Sequence, residues 1–391
     1  MRACGKSASE MKELYLDNSA TTPLLPEAAE AIRLAFETYA NPSSLHSAGI
    51  AASKLLAESR RTVADGSCLG ASYTPVFCGS GSEANNLAIR GFCGLGKHFD
   101  SKRIIISDSE HPSVAASAES LSALGFETVM IPTKGGELDL GALESELRRG
   151  AALVSVMSVN NETGALYDIP AALSLCRQLC PGAIFHTDAV QGFMRIPLTR
   201  CADMISVSAH KIGGPKGCGA LFVRGDLIRR RALSPVVYGG GQESGLRSGT
   251  ENTAYAAGFA AAVRVWSERG REFAAEMRET SLAFIDVITA SGCRVNRPPR
   301  TADYIISATL PGIKSQVMLS FLSSKGIYVS SGSACSSKDR KISSSLKAFG
   351  LSDRDADCTI RISLSPAVSK KDAEILGDAL REGIDKLVKI K

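Results

Sequence analysis

Apolar positions along the chain follow two rhythms that alternate with each other. The helical rhythm first appears after Pro26, where Ile32, Ala35, Phe36 and Tyr39 share one face and predict a helix ending near Asn41-Pro42. A second helix is predicted over 48–65. Short apolar runs of strand length then follow at 103–107, 127–131, 153–157, 183–187, 204–207 and 219–223. Helical segments separate many of these runs, the pattern of a mostly parallel sheet with helices on both faces. Beyond residue 260 the pattern changes to a long charged helix over 263–290 and a Pro/Arg-rich connection, NRPPRTAD. Strands are then predicted at 304–310, 327–330 and 359–364, with a closing amphipathic helix over 370–390. The expected organisation is an N-terminal extension over 1–14, a large domain over 15–260 and a smaller C-terminal α/β domain over 261–391.

Composition narrows the function classes. A chain of 391 residues, 44% hydrophobic and 22% charged, can bury a large core. Its net charge of +5, from 45 basic and 40 acidic residues, is small and scattered, which argues against direct nucleic-acid binding. No stretch offers the roughly 18 uninterrupted apolar residues of a membrane span, so no membrane partner is expected. The opening MRACGKSASEMK has no apolar core of a secretory signal, and Met11, just before ELYLDN, is an alternative start. The 11 cysteines include no C-x-x-C pair and no zinc-ribbon spacing, so no metal site and a cytoplasmic, thiol-reduced setting are expected. Cys176 and Cys180 share a helix face and read as packing.

The candidate chemistry gathers at strand ends. In SVSAHKIGGPK at 206–216, Lys211 follows an apolar strand and precedes a Gly-rich turn, with Lys216 the competing lysine. AIFHTDAVQ at 183–191 brings Asp188 to the end of an apolar run, where a carboxylate can bind a protonated pyridine nitrogen. FCGSGSEANNLAI at 77–89 reads as strand, glycine turn and helix start; Gly79, Gly81 and Ser82 would turn N–H groups and a hydroxyl toward a phosphate. Ligands in open α/β sheets bind beyond the carboxyl ends of strands, and His111, Asn161, Asp188 and Lys211 are all expected there. Arg361 lies among alternating apolar residues in CTIRISLS, and an inward-facing arginine there needs an acid: a ligand's α-carboxylate or a structural partner.

With NPSSLH at 41–46, EHPSV at 110–114, VNNETG at 159–164, GLRSGTEN at 245–252 and SSGSACSS at 330–337, these motifs resemble the NifS/IscS-like cysteine desulfurases of the class-V aminotransferase family. The resemblance runs from Tyr15 to the end of the chain and implies the PLP-dependent fold type I, with a homodimer whose site lies at the subunit boundary. It implies pyridoxal 5'-phosphate bound covalently by Lys211, which then serves as base. Asp188 would hold the ring nitrogen, Gln191 the ring hydroxyl, and His111 the ring face, as acid or base. Gly81, Ser82, Ser208 and His210 would hold the phosphate, joined by Thr250 of the neighbouring subunit. Arg361, Asn161 and Asn41 would bind the carboxylate of L-cysteine, with Asn161 also among the cofactor-binding residues.

The resemblance makes Cys335 the residue that decides the reaction. Its thiolate would attack the substrate sulfur with His111 as proton acceptor, leaving a persulfide and alanine. The stretch from Cys335 to Arg361 resembles the long-loop branch of the family, able to carry sulfur to an iron–sulfur scaffold or a tRNA-thiolation protein. Lys338, Arg340 and Lys341 are candidates for docking an acidic acceptor. Two departures stand out: Ser82 where many relatives have threonine, and Ser365-Pro366 where the family often has Gly-Arg. Selenocysteine lyase activity is the alternative within the family, and a non-catalytic assembly partner the alternative outside catalysis. Intact Lys211, Asp188, Arg361 and Cys335 argue against the latter.

Overall fold

Seven strands form the central sheet of the computed structural model, which describes residues 13–94, 99–332 and 342–389. Their spatial order is Tyr73–Cys78, Gly219–Arg224, Met204–Ser208, Ile184–Asp188, Leu153–Ser155, Arg103–Ser107 and Glu127–Ile131. The last five run parallel, and only Gly219–Arg224 opposes its neighbours, so the sheet is mostly parallel as the pattern predicts. Ile104, Ile105, Ile106, Val154, Phe185 and Ile205 are wholly buried because helices cover both faces.

A helix of 38 residues, Thr253–Ala290, forms the spine of the molecule. It begins ten residues before the expected start, capped by Asn252, whose Oδ1 accepts from the Tyr255 N–H at 3.0 Å. The alanine-rich run 256–262 is strongly helix-forming and buried, so the amphipathic pattern that marks a helix edge is missing there. The expected division between residues 260 and 261 therefore falls inside a continuous helix.

The C-terminal half builds an antiparallel sheet in the order Ser330–Ser331, Thr359–Ser363, Ile305–Thr309 and Arg294–Val295. The N-terminal segment joins it: Leu14–Tyr15 pairs in parallel with Ile327–Tyr328, and Asp17 bridges to Ser363. Leu14 and Leu16 alternate inward and are buried, so ordered structure already includes residue 14. The strand expected over 327–330 divides at Val329, since Tyr328 pairs with Tyr15 and Ser330 with Arg361.

Other differences are local. The first helix is Pro26–Ala35; the chain then tightens through Glu37 and Thr38 N–H bonds to the Leu34 and Ala35 carbonyls. Phe36 and Tyr39, expected on its buried face, are 63% and 88% exposed. The run 153–157 is a strand only over Leu153–Ser155, and the closing helix is Lys370–Lys386. Among the described residues, no helix is long and apolar enough to cross a membrane, and nine cysteines are free thiols.

Candidate active site

The helix Gly81–Cys93 points its N-terminus at the carboxyl ends of the sheet. Ser80 caps it, its Oγ accepting from the Glu83 N–H at 3.1 Å. A Cβ on Gly81 would lie 2.6 Å from Val190 Cγ2 and 3.4 Å from Ser208 Cβ, so only glycine lets the helix start come this close. Gly219 serves the same approach from the neighbouring strand, where a Cβ would lie 2.7 Å from the Ser80 carbonyl carbon. Beside this helix start, Ser208 Oγ is buried and has no hydrogen-bond partner among the described residues. Gln191 Oε1 is in the same condition, while its Nε2 donates to the Ser19 carbonyl at 2.9 Å. N–H groups at a helix start and an orphaned buried hydroxyl are the donors an anion would use.

Asp188 closes its strand as a buried carboxylate. Its Oδ2 accepts from Asn85 Nδ2 at 2.7 Å and its Oδ1 from the Val190 N–H at 2.9 Å. Asn85 continues to Ser113 Oγ at 2.9 Å, and Ser113 lies 2.8 Å from His111 Nδ1. His111 caps the helix Pro112–Glu119 by accepting from the Ser113 N–H at 3.1 Å, which leaves Nδ1 without a proton. Burial pulls its pKa down, against the pull of Asp188 and with the help of Lys211, so the imidazole is a neutral base at pH 7.

Lys211 stands in the short turn Ala209–Lys211 that follows the strand ending at Ser208. Its Nζ donates to the Ala20 carbonyl at 2.8 Å and to the Ser19 carbonyl. Burial, then the charges of Arg361 and Arg195, bring its pKa down to about 8, with Asp17 and Asp188 opposing. His210 is held to the same wall, with Nδ1 3.1 Å from Thr21 Oγ1 and its carbonyl accepting from Thr22 Oγ1 at 2.9 Å. Burial pushes His210 down to about 4, aided by Lys211 and Lys216.

Arg361 faces inward and already has an acid. Nη2 pairs with Asp17 at 2.7 Å and Nη1 donates to the Asn161 carbonyl at 3.0 Å, while buried Nε has no partner among the described residues. Of the two acids weighed from the sequence, the structural one is present, across 344 residues of chain. Asn161 reaches this cluster through its main chain.

Three expected residues are exposed, Ser82 among them beside Gly81 at the helix start. The others are Asn41, whose Oδ1 accepts from the Ser43 N–H at 2.9 Å, and Thr250. Cys335, Lys338, Arg340 and Lys341 lie outside the described residues. The chain on either side of that stretch comes to one carboxylate, Glu162. Ser343 Oγ donates to it at 2.6 Å, and a Cβ on Gly332 would lie 2.5 Å from Glu162 Oε2. Burial pushes Glu162 up to about 7. Asp17, Ser19, Asn85, Glu162 and Arg195 were not singled out from the sequence, although Asp17 lies in ELYLDN, Asn85 in FCGSGSEANNLAI and Glu162 in VNNETG.

Comparison with known proteins accords with this geometry. The pattern of the aminotransferase class-V family matches residues 14–376. A cysteine desulfurase of Trichormus azollae is 34% identical over 390 residues, covering 96% of this chain and 94% of its own length. A solved structure named as a NifS-like protein superposes with a TM-score of 0.89 at 28% identity, covering 96% of this chain and 100% of its own. Another, SspA in complex with cysteine, gives a TM-score of 0.78 at 30% identity over 90% of this chain and 99% of its own. The chain belongs to the class-V aminotransferase family and, within it, to the NifS/IscS-like cysteine desulfurases.

Proposed function

We propose that this protein is a pyridoxal 5'-phosphate-dependent cysteine desulfurase that converts L-cysteine to L-alanine and carries the sulfur as a persulfide on Cys335. The observation that carries this reading is the convergence of Lys211, Asp188 and His111 on one edge of the sheet beside the helix start at Gly81. The residues fit the cofactor. Gly81 N–H and the orphaned Ser208 hydroxyl suit its phosphate, Asp188 its ring nitrogen, the orphaned Gln191 amide oxygen its ring hydroxyl, and half-buried Lys211 its aldehyde. When bound, the cofactor supplies an electron sink for the bond between Cα and its hydrogen.

The chain's own groups do the rest. Lys211 Nζ, with its pKa near 8, takes and returns the Cα proton near neutral pH. Neutral His111 takes the proton of the Cys335 thiol at Nδ1, its unprotonated ring nitrogen, giving up the Ser113 contacts to do so. The thiolate then forms a bond to the substrate sulfur, the substrate's carbon–sulfur bond breaks with its electron pair left on carbon, and protonation there completes alanine. Arg361, through Nε, and Asn161 hold the substrate carboxylate, with Asp17 keeping the guanidinium in place. The likeness to a structure named as a cysteine complex favours cysteine over selenocysteine.

Two copies complete the site. Phe36, Tyr39 and Leu45, the last 94% exposed, flank Asn41 with apolar surface that a second copy would cover. Exposed Thr250 would then serve the partner's phosphate site. The persulfide passes to a sulfur acceptor, an iron–sulfur scaffold or a tRNA-thiolation protein, in the cytoplasm. The test is release of alanine and sulfide from L-cysteine under reducing conditions. Wild type makes both in equal amounts, and Cys335→Ala binds the cofactor but makes neither. Equal turnover by the variant would remove Cys335 from the mechanism.

A further inference from the structure

The chain behind Lys211 is gripped by a buried cluster that the reaction scheme does not use. Arg195 Nη2 donates to the Lys211 carbonyl. The Arg195 guanidinium carbon lies 4.6 Å from the centre of the Tyr304 ring and 5.8 Å from that of Trp266, within cation–π range of both. Its Nε and Nη1 are sealed from solvent with no hydrogen-bond partner among the described residues, so aromatic faces take the place of acceptors. The two aromatic residues hold the same backbone. Trp266 Nε1 donates to the carbonyl of Ile212, the next residue after the lysine, at 2.9 Å, and Tyr304 OH donates to the Gln191 carbonyl at 2.8 Å. No acid pairs with this guanidinium among the described residues, where its partners are the Lys211 carbonyl, Tyr304 and the Trp266 ring.

We propose that Arg195, boxed by Trp266 and Tyr304, is a positioning residue for Lys211: it fixes the lysine's main chain from behind and sets an unneutralised positive charge beside it, so that the amine meets the cofactor aldehyde uncharged. The inference rests on the reading of Lys211 as the residue that bonds the cofactor. Burying a cation is costly, and the molecule tolerates it here because the rings and the carbonyl solvate it in part. Burial lowers the guanidinium's own pKa, with Tyr304 opposing. The lysine is faced by Arg361 and Arg195, which disfavour its ammonium form, and by Asp17 and Asp188, which favour it; His111 and His210 feel its charge in turn. Arg361 is matched by Asp17, whereas Arg195 acts without an acid of its own.

The test follows covalent capture of pyridoxal phosphate by the cofactor-free full chain across pH. The readouts are the visible absorbance of the bound cofactor and quenching of Trp266, the chain's single tryptophan. Borohydride trapping and peptide mass spectrometry identify the lysine. In wild type the capture rate should rise with pH with a midpoint near 8. Arg195→Met, which fills the same box without charge, should move that midpoint upward toward the ordinary lysine value of 10.5, and Arg195→Lys should restore it. An unmoved midpoint in Arg195→Met, with Lys211 still labelled, would overturn the role of Arg195. Should that variant not fold, a wild-type midpoint at the ordinary lysine value, or an upward shift in Arg195→Lys, overturns it equally. Label on a lysine other than Lys211 defeats the functional reading itself, a separate outcome.

Discussion

Glu110 shows how far the site bends ordinary side-chain chemistry. Its carboxyl, one residue before His111, is buried and accepts from Ser107 Oγ at 2.6 Å and from the Met157 N–H at 2.7 Å. Burial, reinforced by nearby Asp188, still pushes it up to about 8 from 4.5. A carboxyl with a raised folded-state pKa binds more protons folded than unfolded between those values. Its contribution to stability is therefore whole below pH 4.5 and lost as pH rises to about 8. Glu110→Gln removes the titration, so the variant should gain on wild type by on the order of 3 kcal/mol between pH 5.5 and 8. Denaturant melts of both proteins at the two pH values measure this, and a constant difference would show that Glu110 does not titrate in that window. His186, pushed down to about 3 by burial, acts below pH 6.5 in both proteins and cancels from the comparison.

At the scale of elements, the contact between the helix Gly81–Cys93 and the strand ends decides whether an anion can be held. Gly81→Ala sets a methyl 2.6 Å from Val190 Cγ2, so Val190 or the helix start must shift. Overpacking of this kind costs about 1–3 kcal/mol, and the affinity for pyridoxal phosphate should fall with it. Gly182→Ala is the control, because a Cβ there meets nothing within 4 Å. Titration of both cofactor-free variants with pyridoxal phosphate checks the point; equal affinities would mean that the cradle lies elsewhere. This element was legible from FCGSGSEANNLAI because cap, glycine turn and helix start are neighbours in sequence. The edges of the long helix were not, since a buried alanine run has no polar face to betray its period.

At the scale of the whole molecule, the proposed dimer would cover the apolar face around Asn41 and give exposed Thr250 a site to serve. Tyr39→Asp with Leu45→Asp should turn a dimer into a monomer in sedimentation velocity and weaken cofactor binding, since each site would lose the partner's Thr250. A wild-type protein that sediments as a monomer with full activity would refute the assembly. The antiparallel sheet depends on chain closure as well: Asp17, near the start of the described chain, and Arg361, near its end, meet at 2.7 Å. That ion pair joins the first strand to the antiparallel sheet and brings a guanidinium within electrostatic reach of Lys211.

The sequence by itself determined the alternating α/β architecture, the strand ends that bear His111, Asp188 and Lys211, and the glycine turn before Ser82. Each is written in residues a few positions apart, where periodicity, capping and turn chemistry act. Only the tertiary structure decided that Arg361 is already matched by Asp17, that Arg195 stands behind Lys211, and that Phe36 and Tyr39 face outward. Charges meet across long separations only when the whole chain closes. An apolar stripe, moreover, states that a face will be covered without stating whether the cover comes from the same chain or from another.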